Sequence, residues 1–223
     1  MTIEAVVALK TLSQSKRRLS AVLNDSQRCD LVEAMAQDVL SCLMTHPEID
    51  TVHAVCGEGW SRNAFPEGPL MVWQEAEKQE DGLIAAYEMI AAKTAAERLL
   101  FIHADLPFLG QEDISALIAA SRDHHAVLSP DLIETGTNAV LRWRHQSLPL
   151  CFGEDSFARH QQAAKATETP WRVVRASGVE RDLDEPDDLG RLDGNDPRLG
   201  EATARWSADA GVNVSLSATH QAC

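Results

Sequence analysis

The strongest constraint on the fold is the order in which short apolar runs and amphipathic segments follow one another. Ile3 to Leu9 is a compact run rich in Val and Ala with polar residues after it, the pattern of a strand buried on both faces of a parallel sheet. From Asn24-Asp25-Ser26 onward, Leu31, Val32, Met35, Ala36, Val39, Leu40 and Leu43 recur at helical spacing, with capping residues before them and Pro47 after them. Thr51 to Val55 and Leu70 to Trp73 read as strands, and Leu83, Ala86, Met89 and Ile90 mark a second helix. Leu99 to Ile102 is a core strand that runs into His103-Ala104-Asp105-Leu106-Pro107, and Ile114, Leu117 and Ile118 mark a third helix. Ala126 to Leu128 and Ala139 to Trp143 are strands separated by the turn Gly136-Thr137-Asn138; Ser156 to Ala166 reads as helix and Trp171 to Val174 as a late strand.

Strands alternating with helices predict a single α/β domain with a mostly parallel sheet and helices on both faces. In such sheets ligands sit beyond the carboxyl ends of the strands, so the chemistry is sought in the loops after them. With 223 residues the chain holds one such domain rather than two, and we place it at residues 1–190. From Arg191 to Cys223 the chain turns to small and polar residues with little periodicity, which predicts a loosely packed tail, 191–223, with no assigned function.

The formal charge of -14, from 20 Lys+Arg against 34 Asp+Glu, repels phosphate backbones and disfavours a nucleic-acid partner. A phosphate ligand must then be held by a local basic cluster or a metal ion. Five cysteines, odd in number and without a Cys-x-x-Cys pair, suggest neither a disulfide framework nor a thiolate zinc site. The N-terminus lacks the basic start and long apolar core of a secretory signal, and no stretch approaches the roughly 18 apolar residues that span a bilayer. A soluble cytoplasmic protein without a membrane partner is the expectation.

The loop after the first strand holds Lys10, Lys16, Arg17 and Arg18 and no acid. Four positive charges there suit a triphosphate, although a solvated basic turn has the same composition, and the glycines of a Walker loop or dinucleotide fingerprint are missing. Asp105 follows an apolar strand, where a carboxylate is a fit ligand for magnesium or a simple turn residue before proline. Asp182-Leu183-Asp184-Glu185-Pro186-Asp187-Asp188-Leu189 offers more carboxylates, and those near the helix start also complement its dipole. Thr135-Gly136-Thr137-Asn138 and Phe152-Gly153-Glu154-Asp155-Ser156-Phe157 can cradle an anion, the latter at a helix start, or serve as ordinary turn and cap.

In order and spacing, these segments resemble one family over residues 3 to about 190. Val6-Val7-Ala8-Leu9-Lys10 with Leu12, Lys16, Arg18 and Leu19, then Gly82-Leu83, Ala104-Asp105-Leu106-Pro107, Gly136-Thr137-Asn138-Ala139, Phe152-Gly153-x-x-Ser156-Phe157-x-x-His160 and Asp182-Leu183-Asp184-x-Pro186-x-Asp188-Leu189 look like the 2-phospho-L-lactate guanylyltransferases of deazaflavin coenzyme biosynthesis. The resemblance implies a glycosyltransferase-A-like nucleotidyltransferase that joins GMP from GTP to 2-phospholactate, phosphoenolpyruvate or 3-phosphoglycerate and releases pyrophosphate. It implies Mg2+ on Asp105 and Asp184, catalytic roles for Lys10, Lys16 and Asp105, and nucleotide contacts from Lys10, Lys16, Arg18 and Gly82. Thr137, Gly153 and Ser156 are implied as contacts to the phosphate of the acid. GTP and a small phosphorylated acid are then the partners, and monomer and homodimer are both compatible. Two positions depart from the pattern: Ile84 stands where Asn is usual after Gly-Leu, and Glu185 where Thr is commoner. A related transferase with another nucleotide or acceptor, or a non-catalytic GTP-binding regulator, would share much of this pattern.

Overall fold

The computed structural model describes residues 1–61, 64–74 and 82–210. Its sheet has seven strands: β1 (Ile3–Leu9), β2 (Thr51–Cys56), β3 (Leu70–Gln74), β4 (Arg98–Ile102), β5 (Ala126–Pro130), β6 (Thr137–Trp143) and β7 (Trp171–Val173), in the spatial order β3-β2-β1-β4-β6-β5-β7. The helices are α1 (Asp25–Thr45), α2 (Gly82–Lys93), α3 (Gln111–Ala120), α4 (Ser156–Ala166) and α5 (Glu201–Asp209).

Strand alternation decides which helix covers which face. Ile3, Ala5, Val7 and Leu9 of β1 pack with Val39, Leu40 and Leu43 of α1 and Ile114, Leu117 and Ile118 of α3. Val6 points the other way, into a core with Tyr87 and Ile90 of α2 and Phe157 and Ala164 of α4. Helix α1 starts where its sequence says it should: Asn24 Oδ1 accepts from Gln27 N at 2.9 Å while Gln27 Oε1 accepts from Asn24 N at 3.0 Å.

The sheet is mostly parallel, with one reversal that matters for the site. β6 runs antiparallel to both β4 and β5, whereas β1 pairs parallel with β2 and β4. Reversal brings the first residues of β6 to the edge where the parallel strands end. Thr137 and Asn138 belong to this strand rather than to the turn expected before Ala139. The Asp131 carboxylate closes that turn earlier by accepting from Thr135 N and Gly136 N, and Asn138 O accepts from His103 N at 3.0 Å.

The expected looseness after residue 190 does not hold over the described part of that segment. A short 3-10 turn, Pro186–Arg191, crosses the expected boundary, and α5 follows. Asp38 of α1 accepts from Ala202 N and Thr203 N, both at 2.8 Å, and from Thr203 Oγ1, so a side chain of α1 caps α5. Leu199, Ala202 and Trp206 are buried with Leu12, Leu19 and Leu23 of the basic loop and Leu31 and Met35 of α1. Residues 211–223 of the expected tail lie outside the described residues. Among the described residues no helix is long and apolar enough to cross a membrane.

Candidate active site

The loop after β1 is held down by its apolar residues and turned by its basic ones. Two 3-10 turns, Leu12–Gln14 and Arg17–Ala21, bury Leu12 and Leu19. A Cβ on Gly57, just past β2, would lie 2.5 Å from the Thr11 nitrogen, so the loop and the end of β2 need glycine to approach this closely. Between the turns Lys16 adopts φ 50°, the left-handed region that costs a non-glycine residue energy. Its side chain, 8% exposed, reaches inward, where Nζ donates to both the Asp105 and the Asp184 carboxylates. Burial works against the charge on Lys16, but the two carboxylates outweigh it and raise its pKa. Burial likewise opposes ionisation of Asp105, and Lys16 overcomes it, bringing that carboxyl down to about 2.

The two acids come from distant parts of the chain. Asp105 follows β4, and Asp105 O accepts from Leu183 N at 3.1 Å, which brings the 182–184 segment alongside. Asp188 Oδ2 accepts from Asp184 N and Glu185 N at 2.9 and 2.8 Å, holding Asp184 at the mouth of the 3-10 turn. Asp188 is thus a cap, paired also with Arg191 at 3.1 Å. Asp105 Oδ1 and His103 Nε2 are buried at this place with no hydrogen-bond partner among the described residues.

A second group of polar side chains sits beside the first. Thr137 N donates to Ser156 Oγ at 2.8 Å, and Thr137 Oγ1 lies 3.1 Å from His160 Nδ1. Gly153, at φ 111°, makes the turn whose carbonyl accepts from Ser156 N, so that Ser156 opens α4. Phe152 links the two groups: its ring centroid is 5.2 Å from that of His103 and 5.1 Å from that of His160.

A family model described as "Guanylyl transferase CofC like" matches residues 3–219. The chain belongs to the CofC-like guanylyl transferase family. It is 34% identical over 198 residues to a phosphoenolpyruvate guanylyltransferase of Sphaerobacter thermophilus, covering 88% of this chain and 95% of the relative. It is 29% identical to a 3-phospho-D-glycerate guanylyltransferase of Phenylobacterium zucineum, covering 83% and 87%. A crystal structure from Desulfovibrio desulfuricans G20, assigned to the nucleotide-diphospho-sugar transferases, shares the fold at a TM-score of 0.75 with 14% identity, covering 95% of this chain and 97% of that one. The α/β nucleotidyltransferase expectation is therefore met, and the protein is a CofC-like guanylyltransferase.

Within this CofC-like fold most of the expected site residues converge. Lys16, Asp105 and Asp184 meet directly, and Thr137 and Ser156 meet each other. Lys10 is exposed at the end of β1, and its charge still helps to lower the Asp105 pKa. Arg18 is turned to an acid: its Nη1 lies 2.9 Å from Glu185 Oε1. The unusual Glu185 thus spends its charge on a basic side chain of the loop, in an exposed pair of small energetic weight. Gly82 opens α2, and Ile84 packs against the apolar core under that helix. Asp182, Asn138, His103 and His160 join the site without having been assigned a role from sequence. Asn138 Nδ2 donates to Asp182 Oδ1 at 3.2 Å, and burial, with Asp105 nearby, raises the Asp182 carboxyl to about 6. A cavity of about 450 Å³ between α1 and α5, lined by Asp38, Cys42 and Arg205 among others, includes none of these residues.

Proposed function

We propose that this protein transfers GMP from GTP to a small phosphorylated carboxylic acid, phosphoenolpyruvate first among the candidates, with release of pyrophosphate, as a step towards a deazaflavin coenzyme. The observation that carries the reading is the meeting of Lys16, Asp105 and Asp184 at the carboxyl edge of the sheet, next to the Thr137–Ser156 pair. Relatives named for phosphoenolpyruvate and for 3-phospho-D-glycerate support the acceptor class.

The donor set fits a hard divalent cation. Two carboxylates already converge on one ammonium, Asp105 stays ionised at neutral pH, and Asp105 Oδ1 has no protein partner among the described residues. A hard cation held by two carboxylates would complete its shell with phosphate oxygens and water. Mg2+ held by Asp105 and Asp184 would neutralise charge at the α-phosphate.

The acceptor phosphate is ionised at neutral pH, so its oxygen attacks the α-phosphorus without a general base. The bond from the α-phosphorus to its bridging oxygen breaks, and the electron pair leaves with pyrophosphate. Lys10, Lys16 and Arg18 offset the charge on that leaving group, Lys16 and Arg18 exchanging carboxylate partners for phosphate. Thr137, Gly153 and Ser156 hold the acceptor phosphate, and the rest of catalysis is positioning and electrostatics.

The test is pyrophosphate release by the purified protein with Mg2+ and GTP, offered phosphoenolpyruvate, 3-phosphoglycerate and 2-phospholactate separately, with CTP and ATP as alternative donors. Release with GTP and one of the acids is expected. Release only with CTP or ATP, or with none of the acids, overturns the reading.

A further inference from the structure

His160 is fully buried and engaged at both ring nitrogens, yet nothing in the proposed chemistry uses it. A main-chain N–H can only donate, so His160 Nε2, 2.8 Å from Cys151 N, is an acceptor. A ring with its lone pair on Nε2 carries its single proton on Nδ1. Burial keeps the ring neutral, driving its pKa down to about 4 against the opposing pull of the Ser156 carbonyl. Nδ1 lies 3.1 Å from Thr137 Oγ1, so the imidazole donates and the hydroxyl accepts. The hydrogen of that hydroxyl is then barred from His160 and must point elsewhere.

Ser156 is set in the same way. Its Oγ accepts from Thr137 N at 2.8 Å, which leaves its own hydrogen free. Neither hydroxyl hydrogen has a protein acceptor among the described residues, and both groups are almost fully buried, at 1% and 2%. An anion that reached these two hydroxyls would receive two O–H donors, a match for one phosphate. The opposite tautomer would turn the Thr137 hydroxyl towards Nδ1 and take that donor away.

We propose that His160 is a positioning residue that fixes the Thr137 hydroxyl as a donor to the phosphate of the acceptor acid, with Ser156 as its companion donor. The inference rests on the proposed function, and it assigns His160 no contact with substrate.

The experiment compares His160→Leu, which removes both ring contacts, with His160→Asn, whose amide keeps a donor near the Nδ1 position. The acid used is the one the wild-type protein turns over with GTP. His160→Leu is expected to raise KM for that acid on the order of tenfold or more, the scale of a lost hydrogen bond to a charged group, with KM for GTP within about twofold of wild type. His160→Asn should recover much of the loss. In a Thr137→Val background His160→Leu should add little, because its route to the phosphate is already gone. Nitrogen NMR of the wild-type imidazole at neutral pH gives a readout that needs neither turnover nor a folded variant, and it should show the proton on Nδ1.

A proton on Nε2, equal rises in both KM values, or full additivity with Thr137→Val would overturn the proposal. Wild-type protein inactive with every acid would instead refute the proposed function and this inference with it.

Discussion

At the residue scale the site is built from one cation between two anions. A buried ammonium facing two carboxylates depends on both, and removing one carboxylate takes away a preorganised charge that the ammonium and a bound cation would share. Asp105→Asn is therefore expected to lower kcat on the order of 10² or more, the scale of losing one preorganised electrostatic group. It should also change the acid limb of stability. The folded pKa of Asp105, about 2, lies below its ordinary 3.8, so its contribution is present above pH 3.8 and is lost as pH falls towards 2. Denaturant melts between pH 4 and pH 2 should show that limb in wild type and not in the variant; near-normal turnover of Asp105→Asn at saturating Mg2+ would sink the metal assignment. The basic loop and Asp105 stand out in the sequence as charged groups after apolar runs, whereas Asp184 is picked out of its acid-rich segment only by the family resemblance. Their pairing is not legible there, because Lys16 lies 89 residues from Asp105 and 168 from Asp184 and only the fold joins them. Asn138 and His160 were harder still, as a lone buried polar residue takes its meaning from neighbours on other elements.

At the scale of elements, periodicity located β1, α1, β4 and α4 closely, because each has a full apolar face or a signalled start. The direction of β6 was not legible, since a buried strand reads the same in either sense, and that direction is what carries Thr137 to Asp105's edge of the sheet. Helix α5 was missed for another reason. Leu199, Ala202, Thr203 and Trp206 do recur at helical spacing, but small and polar residues dilute the pattern and the N-cap partner, Asp38, lies on α1. Trp206 packs in the same cluster as Leu12 and Leu19, which anchor the basic loop. Trp206→Ala is thus expected to cost roughly 3–5 kcal/mol, with a fall in melting temperature on the order of 10 °C. KM for GTP should rise more than KM for the acid, because the loosened loop carries Lys16 and Arg18. A melting temperature within about 2 °C of wild type would show that α5 does not hold the loop.

At the scale of the whole molecule, a parallel sheet with one reversed strand collects on a single edge groups spread from Lys10 to Asp188. Three apolar clusters support that edge: one on each face of the sheet, and a third formed by the basic loop, α1 and the segment after residue 183. Lys16 and Arg18 of the basic loop are already paired with carboxylates, so in a strongly negative protein it is Lys10 and Arg17 that would first attract a polyphosphate. The central claim is that the acceptor phosphate attacks the α-phosphorus of GTP. It is tested most directly by following label from GTP carrying 32P at the α or at the γ position in reactions with the acceptor acid. The account predicts α-label in a new phosphoanhydride with the acid and γ-label in pyrophosphate. Transfer of γ-label to the acid, or release of α-label as free GMP, would contradict it.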